Sequence, residues 1–212
     1  TKIRYLLGRV YEFSSDAMKA EQEYKRVLHL DPKNAKTHFQ LGGIYLQWKK
    51  YPSASKHYEQ AAKVKPDYIK AVYQLGLAYS KQKRFDAAAA QFNKAITKIK
   101  PFIGKTGKDA KQKRRIAELS ALIVEAYNNL AYAYHDKAEK ARLELGDDQA
   151  APHYSSAVSA VERAKTDSVA NEQTYNILGL VYQKQKKFQE AINAFDQAAK
   201  IKPYFSIASY NK

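Results

Sequence analysis

The sequence predicts an all-α fold in which helical hairpins stack one upon another. Two observations support this: the chain repeats itself with a period of 34 residues, and apolar residues within each repeat are spaced by 3, 4 and 7 positions. Those spacings place side chains on one face of a helix. Hydrophobic residues make up 45% of the 212 residues and charged residues 27%, a composition typical of a folded chain.

Each repeat carries the same anchor residues. The first half contains the motif Leu-Gly-x-x-Tyr, which occurs at Leu7-Gly8-x-x-Tyr11, Leu41-Gly42-x-x-Tyr45, Leu75-Gly76-x-x-Tyr79 and Leu178-Gly179-x-x-Tyr182, and in a weaker form at Leu130-Ala131-x-x-Tyr134. The second half aligns small and aromatic residues, namely Ala20, Tyr24 and Val27; Ala54, Tyr58 and Ala61; Ala88, Phe92 and Ala95; Ala191, Phe195 and Ala198; and Tyr154 and Ala157 in the weaker copy. A proline closes four of these units, at Pro32, Pro66, Pro101 and Pro203.

These anchors predict two helices per repeat that cross at a small residue. Gly8 or Ala20 at a crossing lets two backbones approach closely, and Tyr11 and Tyr24 fill the space beside the contact. Proline cannot continue a helical hydrogen-bond ladder, so it separates one hairpin from the next. One such hairpin cannot bury its own apolar face, whereas a stack of hairpins can.

The pattern resembles that of the tetratricopeptide repeat (TPR) family. The resemblance implies a right-handed α–α superhelical solenoid of about five helix-turn-helix repeats, at residues 1–34, 35–68, 69–101, 124–171 and 172–205. A basic insertion, residues 102–123, lies between the third and fourth repeats, and residues 206–212 resemble the start of a further, truncated helix. Because both ends of the sequence look unfinished, we expect a segment of a longer chain.

The insertion predicts an unusually long helix. It opens with the loop-like residues 103–108, after which Asp109 is suited to cap a helix. No proline or glycine follows until after Leu145, so we expect this first helix of the fourth repeat to be longer than its counterparts and to carry a basic first turn outward. Gly146 should then end it. Pro152, tolerated only in a first helical turn, suggests that Ala150 is misaligned in the next helix.

The residues that catalysis or metal binding would need are not found in suitable patterns. There is no cysteine, and the five histidines show no His-x-x-x-His pair or other zinc-binding spacing. Gly104-Lys105-Thr106 resembles the end of a phosphate-binding loop, but Ile99 stands where that motif needs its leading glycine. No apolar run approaches the roughly 18 residues of a membrane span. We therefore expect no enzyme, no cofactor and no metal site.

The positive charge is unevenly distributed. The formal net charge is +16, with +4 over residues 35–68, +6 over residues 69–100 and −3 over residues 124–171. Such a gradient can steer an acidic partner towards the basic region. A lysine-rich surface that merely increases solubility is the alternative interpretation.

The resemblance also implies where a partner would bind. In the TPR family the first helices of successive hairpins line a concave groove, and ligand contacts come from set positions of each repeat. The residues of this chain at those positions that we take as groove candidates are Lys2, Tyr5, Arg9, Lys36, Phe39, Lys70, Tyr73, Asn128, Tyr132 and Asn176. A row of lysines beside a row of aromatic residues suits an acidic or amphipathic segment of a partner protein. The branch of the family that clamps a C-terminal carboxylate has asparagine where this chain has Arg9 and Gln40, so that mode is not expected.

The sequence thus favours a non-enzymatic scaffold or adaptor that binds a segment of a partner protein, and two other functions stay open beside it. Basic pairs in the turns within hairpins, together with the start of the insertion helix, would form a basic edge comprising Lys49, Lys50, Lys83, Arg84, Lys111, Lys113, Arg114 and Arg115. Such an edge could bind nucleic acid or an anionic membrane. Alternatively, the uncapped ends or the long helix could join copies of the chain into a self-assembling scaffold.

Overall fold

The computed structural model describes residues 1–202, which form ten α-helices, one 3₁₀ turn and no strand. The helices are α1 (Lys2–Phe13), α2 (Ala17–Leu30), α3 (Ala35–Gln47), α4 (Tyr51–Val64), α5 (Ile69–Lys81), α6 (Phe85–Ile99), α7 (Ala110–Leu145), α8 (Asp147–Thr166), α9 (Glu172–Lys184) and α10 (Phe188–Ile201), with the 3₁₀ turn at Lys100–Phe102. The predicted all-α hairpin fold is confirmed. The expected further helix at 206–212 lies outside the described residues.

The chain divides into two compact units, Thr1–Lys98 and Ile99–Lys212. In the first unit, α1 pairs with α2 and α3 with α4, while α2 packs on α3 and α4 on α5. In the second unit, α7 pairs with α8 and α9 with α10, and α9 also contacts α7 and α8. Within each unit, therefore, hairpins that follow one another in sequence lie side by side.

Each hairpin crosses at a small residue beneath an aromatic ring. A Cβ atom added at these glycines would lie 2.5 Å from the Tyr24 ring at Gly8, 2.7 Å from Tyr58 at Gly42, 2.7 Å from Phe92 at Gly76 and 2.5 Å from Phe195 at Gly179. These distances are too short for any side chain, so the close approach of the two helices requires glycine. In the fourth repeat the buried Ala131 stands at this position, consistent with its weaker match.

The turns within four hairpins share one backbone geometry. Ser15, Lys49, Lys83 and Lys186 have φ angles between 57° and 62°. The next residue then donates its backbone N–H to a carbonyl five positions back, as Lys50 does to Tyr45 at 2.8 Å. This left-handed cap closes the first helix and turns the chain into the second. Two residues of the predicted basic edge, Lys49 and Lys83, thus occupy the turn position that has a positive φ angle.

The long helix α7 has 36 residues, whereas the helices of the first unit have 12 to 15. Asp109 caps it by accepting the backbone N–H of Gln112 at 2.8 Å. The Arg115 guanidinium lies 5.4 Å from the centre of the Phe102 ring, which holds the start of α7 against the 3₁₀ turn. No helix within residues 1–202, α7 included, is both long and apolar enough to cross a membrane.

The structure corrects the expectation about Pro152. Helix α8 begins at Asp147, directly after Gly146 with its φ of 96°, so Pro152 lies inside the helix. Ala150 and Tyr154 are nonetheless both buried. Ala150 is therefore correctly aligned with the other repeats. The start of α8 is not shifted; instead the helix contains an interior proline and lacks the backbone hydrogen bond that proline cannot donate.

The crossing geometry predicts that alanine substitutions at two neighbouring glycines change the stability of the protein in opposite directions. A Cβ at Gly42 meets the Tyr58 ring at 2.7 Å, whereas a Cβ at Gly43 meets nothing closer than the Tyr58 hydroxyl at 3.8 Å. Overpacking costs about 1–3 kcal/mol and alanine gains about 1 kcal/mol over glycine in a helix. We expect Gly42→Ala to lower the free energy of unfolding and Gly43→Ala to raise it by up to about 1 kcal/mol. Urea unfolding followed by circular dichroism measures both, and equal effects would show that the crossing is not tightly packed.

Candidate functional site

The lysine row of the first unit lies at the surface. Lys2, Lys36 and Lys70 occupy the same position in α1, α3 and α5, and all three side chains are exposed. Lys2 and Lys36 line one open pocket of about 510 Å³, whose other lining residues are Thr1, Tyr5, Leu6, Asp31 and Asn34. The fold thus brings two of the predicted lysines and the first predicted aromatic residue into a single concavity.

The aromatic row runs from the surface into the core. Each of its members packs on the aromatic residue of the second helix in its own hairpin, with ring centroids 5.8 Å apart for Tyr5 and Tyr24, 5.6 Å for Phe39 and Tyr58, and 5.8 Å for Tyr73 and Phe92. Tyr5 and Phe39 remain partly exposed, whereas Tyr73 is only 5% exposed. Of the three predicted aromatic residues, Tyr5 and Phe39 are therefore accessible in part, whereas Tyr73 lies beneath the surface.

Tyr68, which the sequence analysis did not select, extends the aromatic surface. Its ring centroid lies 4.9 Å from that of Phe39. Burial raises the pKa of Tyr68 to about 12, and Tyr5 and Arg9 lie near enough to influence it. Tyr68 stands directly before α5, at the position that Asn34 holds before α3. An aromatic residue at this position of the repeat was the signal in the sequence that could have revealed it.

Arg9 is held by neighbours within the first unit. Its Nε lies 3.3 Å from the Glu12 carboxylate, close enough for an ion pair but not aligned as a hydrogen bond, and its guanidinium lies 5.1 Å from the centre of the Phe13 ring. Glu12 also accepts hydrogen bonds from the Tyr24 hydroxyl at 2.5 Å and from Gln40 Nε2 at 2.7 Å. Glu12 therefore ties α1, α2 and α3 together, a role that the sequence did not reveal.

Of the three candidates in the second unit, Asn128 belongs to a buried polar cluster. Asn128 is 2% exposed; its amide donates to Asn171 at 3.2 Å and its carbonyl oxygen accepts the Thr174 hydroxyl at 2.7 Å. Tyr132 and Asn176 are partly exposed. The buried Asn128 joins α7 to the start of α9 and is not accessible to a ligand.

The two parts of the predicted basic edge belong to different compact units. Lys49, Lys50, Lys83 and Arg84 are exposed in the first unit, and Lys111, Lys113, Arg114 and Arg115 are exposed in the second. Several of these cations already have partners: Lys50 lies over the Trp48 ring, Arg84 lies over the Tyr79 ring at 4.3 Å, and Arg114 pairs with Glu118 at 3.2 Å. The edge is accessible, but part of its charge is engaged within the chain.

Two histidines face each other between α3 and α4. Their Nδ1 atoms are 3.0 Å apart, and His38 Nε2 lies 3.0 Å from the Pro32 carbonyl oxygen. A carbonyl only accepts, so His38 Nε2 carries a proton and a second proton lies between the two Nδ1 atoms. Burial, followed by the charges of His38, Lys56 and Lys25, lowers the pKa of His57 to about 4, while Glu21 acts in the opposite sense. No group of three or more potential metal ligands occurs within residues 1–202.

Family models match three segments of the sequence. Residues 1–34 and 172–205 each match a model described as "Tetratricopeptide repeat", and residues 42–83 match one described as "TPR repeat". Together the matches span 110 of the 212 residues. Fold and sequence thus define a protein built from stacked helical hairpins. The chain belongs to the tetratricopeptide repeat family.

Solved structures share this fold at low sequence identity. A crystal structure of MamA protein superimposes with a TM-score of 0.73 at 20% identity, covering 100% of this chain and 95% of that one. The assembly chaperone of RpL4 (Acl4) gives 0.67 at 14% identity, covering 97% and 76%, and YrrB, "a TPR protein with an unusual peptide-binding site", gives 0.57 at 17% identity, covering 98% and 89%. A search of curated proteins found none that matches the chain in sequence.

The histidine pair predicts a loss of stability in mild acid. The folded pKa of His57 lies below its ordinary value of 6.5, so the unfolded chain binds the proton more readily. The stability present above that ordinary value is therefore lost as the pH falls towards the folded pKa. Because the ring keeps some contact with water, we expect a loss of about 1–2 kcal/mol, less than the full shift would give.

The measurement is the free energy of unfolding at pH values of about 7 and about 4.5. His57→Phe retains a ring that can stack on Tyr45 and removes the titrating group, so its stability should fall less than that of the wild type. His29→Gln, at the exposed end of α2, is the control and should behave as the wild type does. If the free energy of unfolding depends on pH in the same way for His57→Phe and the wild type, the loss of stability in mild acid does not come from His57.

Proposed function

We propose that this protein is a non-enzymatic scaffold or adaptor that holds an acidic or amphipathic segment of a partner protein. The binding surface is the groove side of α1, α3 and α5, and the observation that carries the proposal is the pocket that joins Lys2, Tyr5 and Lys36. Lysines at the rim and partly exposed aromatic rings below them match a segment whose carboxylates alternate with apolar side chains.

Charge favours an acidic partner. Over residues 35–100 the chain has 13 basic and 3 acidic side chains. The one carboxylate that lines the pocket, Asp31, accepts a hydrogen bond from the Asn34 amide at 2.9 Å and shares the pocket with Lys2 and Lys36. Lysines at a rim chiefly speed the encounter and set its direction, while contact with Phe39 and Tyr68 supplies apolar burial.

The related structures support this class of function by analogy. YrrB is described as having a peptide-binding site, and Acl4 as an assembly chaperone of another protein. Both share the stacked-hairpin fold of this chain at low sequence identity, so they support the class of function and not a particular partner.

The proposed groove predicts that reversing the charge of two of its lysines specifically weakens the binding of partner proteins. Lys36→Glu combined with Lys70→Glu should reduce capture of protein partners from a nuclease-treated native lysate by about tenfold or more, because both changes repel carboxylates at the rim. The matched control is Lys63→Glu combined with Lys94→Glu, which makes the same change of charge on exposed residues of α4 and α6. Helicity, measured by circular dichroism, should be unchanged in both.

Two outcomes would overturn the groove proposal. One is that the Lys36/Lys70 variant captures protein partners as well as the wild type does, or that the Lys63/Lys94 control loses capture to the same extent as the variant. The other is capture that disappears when the lysate is treated with nuclease, which would move the function to the basic edge. The second candidate function, polyanion binding, draws its support from the exposed cations at the start of α7: Lys111, Lys113, Arg114 and Arg115.

A further inference from the structure

The hairpin of α3 and α4 brings together two histidines that show no metal-binding spacing along the sequence. His38 and His57 are 19 positions apart, one on each helix, and their Nδ1 atoms are 3.0 Å apart. Histidine is the commonest metal ligand in proteins, and a neutral ring binds an ion through whichever nitrogen carries no proton. The pair can therefore present two nitrogen ligands at one point.

A hydrogen bond on the far side of His38 prepares its ring for this role. His38 Nε2 donates its proton to the Pro32 carbonyl oxygen at 3.0 Å, so the lone pair of this ring lies on Nδ1, the atom that faces His57. Metal-binding histidines typically donate their other N–H to a carbonyl or carboxylate, which fixes the tautomer and the direction of the ring. The ring of His57 is held as well, because it stacks on Tyr45 with the centroids 5.3 Å apart and an angle of 18° between the planes.

The distance between the two nitrogens indicates the kind of ion. Bonds from a metal to imidazole are about 2.0–2.1 Å long, so two nitrogens 3.0 Å apart subtend an angle of about 91–97° at an ion that both bind. Neighbouring ligands lie at right angles in tetragonal coordination, whereas tetrahedral Zn²⁺ needs a wider angle. Among divalent ions that imidazole suits, Cu²⁺ and Ni²⁺ favour the tetragonal arrangement.

We propose that His38 and His57 bind one Cu²⁺ or Ni²⁺ ion through their Nδ1 atoms, with water completing the coordination. Both side chains are partly exposed, so the ion and its water ligands have access from solvent. The proton between the two Nδ1 atoms leaves, and His57 takes up a proton on Nε2, so both rings stay neutral and no net proton is released. Each ring turns until its lone pair points at the ion instead of at the other ring.

The charges around the pair are compatible with a bound cation. Lys56 and Lys25 oppose positive charge at His57, and Glu21 favours it. Lys25 is already paired with the Glu21 carboxylate at 2.8 Å, and Lys56 is exposed, so salt in the solvent screens its charge. None of the groove candidates is a ligand of the ion. The metal site and the groove proposal therefore stand or fall separately.

The first test is a calorimetric titration of the protein with Ni²⁺ at about pH 7.5, where unperturbed histidine is neutral. His38→Gln and His57→Phe each remove one ligand. Loss of a mere outer partner of a metal ligand already costs about 10–100-fold in affinity, so each variant should bind Ni²⁺ at least tenfold more weakly than the wild type. His29→Gln is the matched control: it removes an exposed histidine at the end of α2 and should bind as the wild type does.

The second test does not depend on the folding of a variant. Electron paramagnetic resonance of the wild type with one equivalent of Cu²⁺ should show hyperfine coupling to two imidazole nitrogens. Circular dichroism shows which variants keep their helicity, and where a variant does not, the wild-type spectrum decides. The proposal is overturned if folded His38→Gln and His57→Phe bind Ni²⁺ as tightly as the wild type, if His29→Gln weakens binding as much as they do, or if the spectrum shows coupling to one nitrogen only.

Discussion

The contact between a glycine and an aromatic ring at each hairpin crossing is the constraint on which the rest of the structure depends. Gly42 lets the Tyr58 ring lie directly on the backbone of α3, and the same arrangement recurs at Gly8, Gly76 and Gly179. Because that ring is held in place, the aromatic groove candidate in the first helix of the hairpin packs on it, as Phe39 does on Tyr58. The position of the aromatic rings in the proposed groove thus depends on the crossing, so a substitution at the glycine should displace the partly exposed Phe39 as well as the buried Tyr58.

Tyrosine hydroxyls join one hairpin to the next at two places in the first unit, which gives a physical role to part of the tyrosine content of the chain. Tyr45 of α3 donates to Glu21 of α2 at 2.6 Å, and Tyr79 of α5 donates to Glu59 of α4. Burial and the hydrogen bond to Glu59 raise the pKa of Tyr79 to about 12, so the phenol remains a donor. In the second unit Glu139 accepts from Tyr154, Arg142 and Lys184, which together outweigh burial and lower the pKa of Glu139 to about 2.

The fold could be predicted from the sequence because its determinants are local and periodic. The Leu-Gly-x-x-Tyr motif and the cap at Asp109 depend on neighbouring residues, and a 34-residue period reveals them. The degree to which each side chain of the proposed groove is buried could not be predicted. A repeat position indicates which face a side chain occupies, but burial depends on neighbours in other elements: Tyr73 is 5% exposed, whereas Phe39 remains partly exposed. Glu12 and Tyr68 were missed because their partners lie in other helices or turns, beyond the reach of a periodic pattern.

The central claim is that the protein binds a protein segment through the groove side of its first unit. The most direct test places a photo-activated crosslinking residue at Lys36, in the groove, or at Lys63, on α4, and irradiates the native lysate after nuclease treatment. The account predicts protein adducts at position 36, with peptides rich in acidic residues at the crosslink, and few adducts at position 63. Adducts that form equally at both positions, or at position 63 only, would contradict it.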